Sequence, residues 1–376
     1  MLLAHKIELR PTKRQADYLN QACGARRHCF NQLLAHFKQE GATWSKQAAY
    51  AYYMKVLKPQ FTFYTQVSSR VTRNAIDDLD SAYKHFFRRI KAGEKQVGHP
   101  QFKKKGRHDS FALREVTKFG VEGRSLRIER LKTRLKMRER LRFEGVPKQV
   151  TISKTAGTFY ASILVEVTNY DTKDTDRCPS VGVDVGITNL ITTSDGWKMP
   201  KHHPLAKNLK KLAKQQRNLA KKQTGSNRRA KAKLKVAKLH ARVARQRKAV
   251  LHEVSDFLTR SYHRIVIEDV HVKGMQKNRK LARAVADAGF GEFRRQLVYK
   301  AALRNCDLVI ADRWYPSSKL CSGCDTKNNH VVLGVTTWQC TCCGTIHDRD
   351  LNAAINLNTY GADTLQPTTK RTHETY

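Results

Sequence analysis

Val181-Gly182-Val183-Asp184-Val185-Gly186 reads as a nearly continuous apolar strand interrupted by one carboxylate. A carboxylate inside a buried strand costs several kcal/mol unless it is paired or binds metal. A second apolar strand, Arg264-Ile265-Val266-Ile267, ends in Glu268-Asp269. One such strand alone is explained by an edge or capping acid. Two predict a parallel pair presenting acids at neighbouring positions, where a divalent ion bridges them.

A third acid follows in His347-Asp348-Arg349-Asp350-Leu351-Asn352-Ala353-Ala354-Ile355-Asn356, which reads as a helix start with acids in its first turn. Asp348 suits the capping position. Asp350, two residues further in, faces the strands if Ala353 and Ala354 pack on them. Two acids from strands and one from a helix is the layout of an RNase H-like two-metal phosphodiesterase, in which ions about 4 Å apart activate water and stabilise the leaving oxygen. Just before this helix, Cys321-Ser322-Gly323-Cys324 and Cys340-Thr341-Cys342-Cys343 give two C-x2-C pairs at zinc-ribbon spacing. Cys342 is an alternative to either neighbour, but only Cys340 with Cys343 keeps the two-residue gap. Four thiolates leave no open coordination position, so one structural zinc ion is expected.

The chain has 376 residues, 72 Lys+Arg against 32 Asp+Glu, and a formal charge of +40. So much like charge calls for a polyanion, and a basic excess is the electrostatic footprint of phosphate binding. Membrane spanning is excluded as a reading: the longest apolar runs, such as Ala161-Ser162-Ile163-Leu164-Val165, are far too short. Met1-Leu2-Leu3-Ala4 runs at once into His5 and Lys6, without a signal-peptide apolar region. A soluble, cytoplasmic protein is expected. With 40% hydrophobic residues, 14 Phe and 13 Tyr, the chain can bury sizeable cores, in two or three domains.

Residues 1–10 alternate as a strand and stop at Pro11. Thr12 starts a helix with Leu19, Cys23, Cys29, Phe30, Leu33, Leu34 and Phe37 as its apolar stripe. A second helix begins near Ser45, and a third runs from Gln66 to Lys91. Residues 107–178 turn to short strands, among them Leu126-Arg127-Ile128, Gln149-Val150-Thr151-Ile152 and Tyr160 to Val165, a barrel-like module that the N-terminal strand completes. Residues 169–179 are a polar linker. Residues 207–248 hold 17 Lys/Arg and no acid. Leucines on either side of Thr224-Gly225-Ser226-Asn227 make this a helical hairpin with a thin apolar seam. Because the charge never alternates in sign, its faces are read as phosphate-binding.

In these segments the chain resembles TnpB, the transposon-associated RNA-guided DNA endonucleases ancestral to type V CRISPR effectors. The resemblance is carried by Gly182-Val183-Asp184-Val185-Gly186, Ile267-Glu268-Asp269, Asn278-Arg279-Lys280, Ala288-Gly289-Phe290-Gly291-Glu292-Phe293, Tyr315-Pro316-Ser317-Ser318, the cysteine pairs and His347 to Ala354, in that order. It extends weakly to the amino end through Arg10-Pro11 and Ala82-Tyr83-Lys84-His85-Phe86-Phe87. It implies an α+β multidomain chain. Residues 1–10 and 107–178 would be a β-barrel wedge domain, and 11–106 a helical recognition domain. Residues 179–318 would be an RNase H-like (RuvC) nuclease domain with the basic hairpin at 205–258. A zinc ribbon contacting target nucleic acid would span 319–345, the third nuclease segment 346–360, and a flexible tail 361–376.

The resemblance further implies catalytic acids at Asp184, Glu268 and Asp350, with two Mg²⁺ ions. Asp184 would bridge the ions, and the other two acids would each complete one shell. It implies zinc ligands at Cys321, Cys324, Cys340 and Cys343. The implied partners are a guide RNA from the transposon end and double-stranded target DNA opened beside a short motif, with a monomeric protein on one RNA, nucleoid-associated in a prokaryote. The helix from Gln66 resembles the family's motif-reading helix. Gln66, Ser69, Arg70 and Arg73 share its face, and Gln and Arg suit base edges; contact of the arginines with phosphate alone is the alternative. Arg279 and Lys280 fall where the family has a mobile lid, or else in a plain basic loop. A nuclease-inactive RNA-guided repressor and a transposase acting directly on transposon ends are the competing functions.

Overall fold

A computed structural model describes residues 1–168, 176–200, 204–332 and 334–363, and the chain divides into two units, Met1–Tyr170 and Asp171–Tyr376. Of the expected linker at 169–179, residues 169–175 lie outside the described residues, and Cys178 and Pro179 already belong to a strand. Of the expected flexible tail at 361–376, residues 364–376 lie outside them, and 361–363 still belong to the last helix.

In the first unit, strand β1 (Leu2–Arg10) buries His5, Ile7 and Leu9 on one face. Thr12 then caps helix α1 (Lys13–His36) in a reciprocal box: Thr12 N–H donates to Gln15 Oε1 (2.9 Å) and Gln15 N–H to Thr12 Oγ1 (3.4 Å). Ser45 caps α2 (Lys46–Tyr52), which continues through one wide turn into α3 (Lys58–Gln60). Helix α4 (Ser69–Lys91) follows. The remaining strands are β2 (Ser110–Leu113), β3 (Phe119–Glu122), β4 (Ser125–Ile128), β5 (Leu135–Met137), β6 (Val146–Thr155) and β7 (Thr158–Glu166). They form a nearly closed, barrel-like seven-stranded sheet in the order β2-β6-β7-β1-β5-β4-β3. β1 sits at its centre, pairing along Leu2–Glu8 with β7 and through Leu9 and Arg10 with β5. Helices and barrel share one continuous core, from Ile7 through Leu33, Tyr53 and Leu79 to Val165.

In the second unit, β8 (Cys178–Val185), β9 (Asn189–Thr193) and β10 (Lys198–Pro200) form an antiparallel meander. The basic segment makes α5 (Pro204–Ala220) and α6 (Asn227–Ser261), joined by a turn in which Ser226 caps α6. The 35 residues of α6 span about 52 Å, and only its last part reaches the core, through Leu251, Val254 and Leu258. Strand β11 (Tyr262–Glu268) leads to α7 (Val272–Lys277), α8 (Ala282–Ala288), α9 (Phe290–Arg304) and β12 (Asp307–Ala311). The sheet order is β10-β9-β8-β11-β12, with β8, β11 and β12 parallel. A small hairpin, β13 (Thr337–Gln339) with β14 (Ile346–Asp348), runs directly into α10 (Arg349–Asp363).

Alternation fixes which side of this sheet meets which helix. Val181, Val183, Ile265 and Ile267 pack against α6 and α9. Gly182 and Val266 point the other way, toward α10: a Cβ at Gly182 would overlap the Ala354 carbonyl oxygen, and one at Gly361 would overlap the Val266 side chain. The helix thus lies backbone to backbone against β8, a contact only glycine permits. Gly182→Ala is expected to lower the stability of this unit by about 3 kcal/mol or more, measured as a fall in denaturation midpoint. A variant of unchanged stability would show that α10 is not seated there.

Candidate active site and metal centre

Asp184 is two residues beyond Gly182 on β8, so both project from the same face of the strand. On α10, Asp350 is four residues, one turn, before Ala354, the residue lying over Gly182. Strand and helix therefore bring these carboxylates to the same end of the contact. Val183 pairs with Ile267 in the parallel register, which sets Glu268 beside Asp184, and Glu268 shares a face with Val266. All three acids gather at the carboxyl ends of parallel strands, the usual binding crevice of an open α/β sheet.

The electrostatics record the crowding. Burial, then the negative charges of Glu268 and Asp350, push the Asp184 carboxyl well above the usual carboxylate range. Burial pushes Glu268 up to about 7. Arg349 is the nearby cation that opposes both shifts. A hard divalent cation has the charge and oxygen preference this donor set requires. Asp348 stands apart: it accepts the Leu351 N–H (3.0 Å), capping α10, and pairs with Lys198 (2.6 Å).

Without a cation these acids destabilise the fold. The folded-state pKa values of Asp184 and Glu268 lie above the unfolded carboxylate range of about 4, so the folded chain binds more protons. Its stability falls as pH rises from about 4.5 toward about 7. Asp184→Asn is expected to raise the metal-free thermal midpoint by a few degrees at pH 8 and by much less at pH 4.5. Equal midpoints at both values would refute the crowding.

The four cysteines have a different character. The Sγ atoms of Cys321, Cys324, Cys340 and Cys343 all lie within 4.8 Å of one another. Cys321–Cys343 and Cys324–Cys340 stand at 3.6 Å, close to the edge of about 3.8 Å expected for a tetrahedron with Zn–S near 2.3 Å. Among the described residues no other group of three or more His, Cys, Asp or Glu meets this spacing. Cys342 is exposed and outside the cluster, its backbone N–H donating to Cys340 Sγ (3.4 Å). Backbone N–H groups, first that of Cys343, hold the Cys340 thiol down to about 6, which favours the thiolate a metal needs.

Sequence reasoning did not single out the residues around these ligands. His347 is buried, with Nε2 3.0 Å from Cys321 Sγ. Asn328 Nδ2 reaches Cys340 Sγ (3.6 Å), and its Oδ1 accepts the Thr341 N–H (3.0 Å). Asn352 and Asn356, one turn apart on α10, both donate to the Leu320 carbonyl (2.7 Å each). Asn352 Oδ1 also accepts the Ser322 N–H (3.0 Å). These asparagines bind the helix that carries Asp350 to the first cysteine knuckle. Their i, i+4 spacing was the available signal.

Comparison with known proteins agrees with this architecture. The family profile OrfB_IS605, described as "Probable transposase", matches residues 162–279. A "Cas12f1-like, TNB domain" profile matches 290–357. A protein of Streptomyces pristinaespiralis named "Putative RNA-guided DNA endonuclease" is 35% identical over 94% of this chain and 88% of its own length. The Escherichia coli K12 protein of the same description, InsQ, is 30% identical over 95% and 91%. The chain belongs to the TnpB family. A solved "Cas12f1-sgRNA-target DNA complex" superposes with TM-score 0.58 at 12% identity, covering 92% of this chain and 83% of that one, and shares the fold. A third TnpB-related profile, named for a helix-turn-helix domain, matches residues 1–42, where the structure has β1 followed by one 24-residue helix.

The nucleic-acid candidates of this TnpB chain are placed less uniformly. Gln66 is a correction: it ends a 3₁₀ turn (Thr62–Gln66), and α4 begins only at Ser69. Val67 is extended and buried, and the Ser68 hydroxyl accepts the Arg70 N–H (3.3 Å), so the helix is capped after Gln66. Gln66 therefore does not share the face of Ser69, Arg70 and Arg73; it bonds Gln21 of α1. Arg70 pairs with Glu115 (2.7 Å), and Arg73 lies over the Tyr50 ring (5.5 Å). Asp77 and Asp78 pair with Arg114 (both 3.2 Å), and Asp77 also with Lys46 (2.7 Å). Arg279 and Lys280 lie in the turn between α7 and α8, lining with Arg283, Asp287 and Ile187 a cleft of about 560 Å³. No described helix is long and apolar enough to cross a membrane.

Proposed function

We propose that this TnpB-family chain is an RNA-guided endonuclease that cuts double-stranded DNA, with divalent cations held by Asp184, Glu268 and Asp350 and a structural zinc held by Cys321, Cys324, Cys340 and Cys343. The observation that carries the reading is the convergence of Glu268 and Asp350 on Asp184, whose carboxyl both of them push up, at one end of a parallel sheet in a chain of charge +40. Acids crowded at such cost to stability are retained for chemistry. Magnesium in this cleft would supply an activated water and neutralise the leaving oxygen.

The chain's own contribution is position. The register of β8 and β11 sets two carboxylates side by side, and the seat of α10 on Gly182 sets the third. The hairpin of α5 and α6 offers a long cationic surface suited to an RNA scaffold, with Arg229 tied to the carbonyls of Leu219 and Lys222. Sequence recognition then falls to the guide, transcribed from the transposon end, beside a short motif read by the protein. Ser69, Arg70 and Arg73 remain the proposed readers, and Arg279 and Lys280 a proposed lid over the acid cleft.

The test is to purify the chain with its co-purifying RNA, replace the guide portion of that RNA, and present duplexes that match it beside a randomised flank. Cleavage requiring RNA, Mg²⁺ and a match is expected. Binding without cleavage at saturating Mg²⁺ would make it a repressor, and strand joining of transposon ends without RNA would make it a transposase; either result overturns the proposal.

A further inference from the structure

Trp314 follows β12 at the same end of the sheet as the three acids, and its side chain is 84% exposed. Ala311, the last residue of β12, pairs with Glu268. Adjacent strands are about 4.8 Å apart and three residues reach at most about 11 Å, so Trp314 lies within the span of a few nucleotides from the acid cleft. Single exposed apolar residues are ordinary. The way this one is held is not.

The backbone around Trp314 is tied on every side. Its own N–H donates to Asp312 Oδ1 (2.8 Å), and the Tyr315 N–H to the Asp312 carbonyl (3.1 Å). Arg313 pairs with Asp269, the residue directly after Glu268, and Asp269 is also held by Arg294 of α9. On the other side the Tyr315 hydroxyl donates to the Asn356 carbonyl (3.1 Å), and the ring packs on Tyr360 (centroids 4.7 Å). Its neighbours are thus turned inward, to α9 on one side and α10 on the other, and the indole is left facing solvent on a rigid mount beside Arg313.

We infer that Trp314 is the stacking platform for an unpaired base of the DNA strand entering the acid site. This rests on the nuclease reading above. An indole face is sequence-tolerant, because every base has a π-face, which suits an enzyme whose sequence choice is made by its guide. The flanking guanidinium suits the backbone of the same strand. Asp269 is, by the same contacts, a positioning residue for the platform rather than a metal ligand.

The test compares the wild-type RNA-loaded complex with Trp314→Ala and Trp314→Phe, on matched DNA carrying one abasic nucleotide at successive positions near the cut. Trp314→Ala is expected to slow cleavage of intact DNA about tenfold or more, and Trp314→Phe to recover most of the rate. At one position the abasic nucleotide should slow the wild type by a like factor and Trp314→Ala by little, a coupling that a merely structural role would not produce. Full additivity at every position, or an unchanged Trp314→Ala rate, would overturn the inference. A second readout does not depend on cutting: single-stranded DNA carrying 2-aminopurine should be quenched by the wild type and not by Trp314→Ala, and equal quenching would likewise overturn it. A wild type that quenches but does not cut would sink the nuclease reading and leave the platform standing.

Discussion

Asp184→Ala, folded and loaded with its RNA, is expected to lose more than about a thousandfold in cleavage of matched DNA while still binding it. Divalent ions contribute several kcal/mol of transition-state charge stabilisation in phosphodiester hydrolysis, and each 1.36 kcal/mol is tenfold in rate. Asp184 is the acid whose carboxyl is pushed up by both of the others, and in the proposed function it would be the ligand shared by the cations. Binding is spared because the substitution removes a repelled negative charge from a basic protein. Asp348→Ala is the companion measurement. It removes a helix cap and the Lys198 ion pair, so a stability loss of about 1 kcal/mol with a modest rate effect is expected. Single-turnover rates at saturating Mg²⁺ check both. An Asp184→Ala complex that still cuts would end the assignment of the acid cleft.

Cys324→Ser is expected to abolish zinc binding and, through it, the order of the whole cysteine module. Structural zinc sites bind with about 10–16 kcal/mol in isolated finger peptides, whereas entire domains are stable by about 5–15 kcal/mol. The module's apolar content is small, Val331 and Trp338 beside the cysteines, and cannot replace such a contribution. Metal analysis should give one zinc per wild-type chain and none in the variant. Cys342→Ser, altering an exposed thiol outside the cluster, should keep its zinc. A metal-free, fully folded wild type would refute the assignment.

What the amino-acid order disclosed and what it hid follow physical lines. The apolar run around Asp184 marked a buried strand carrying one acid, and a two-residue gap singled out Cys340 with Cys343; both are local patterns that survive any tertiary arrangement. The capped starts of α1 at Thr12 and α2 at Ser45 are local in the same way. The third helix was placed too early, because Gln66 and Val67 continue a helical spacing that Ser68 interrupts by capping. Strands β2, β3 and β5 were not resolved, since three or four residues are too few to show a period. Periodicity also tells which face is buried but not against what. The helices of residues 11–106 and the barrel looked like separate bodies, yet share one core. The buried asparagines of α10 and the mount of Trp314 depend on carbonyls and carboxylates far away in the chain, which no window of sequence contains.

The direct passage of β14 into α10 ties the order of the cysteine module to the position of the third acid. His347 lies against a cysteine sulfur, and Asp350 lies three residues later. Asn352 and Asn356 fasten the next turns of the same helix to the knuckle's own carbonyls. Asp350 is thus held from two directions, by the seat of its helix on Gly182 and by the cysteine knuckle. Loss of order at the cysteines is therefore expected to loosen Asp350 as well, even with all three carboxylates present.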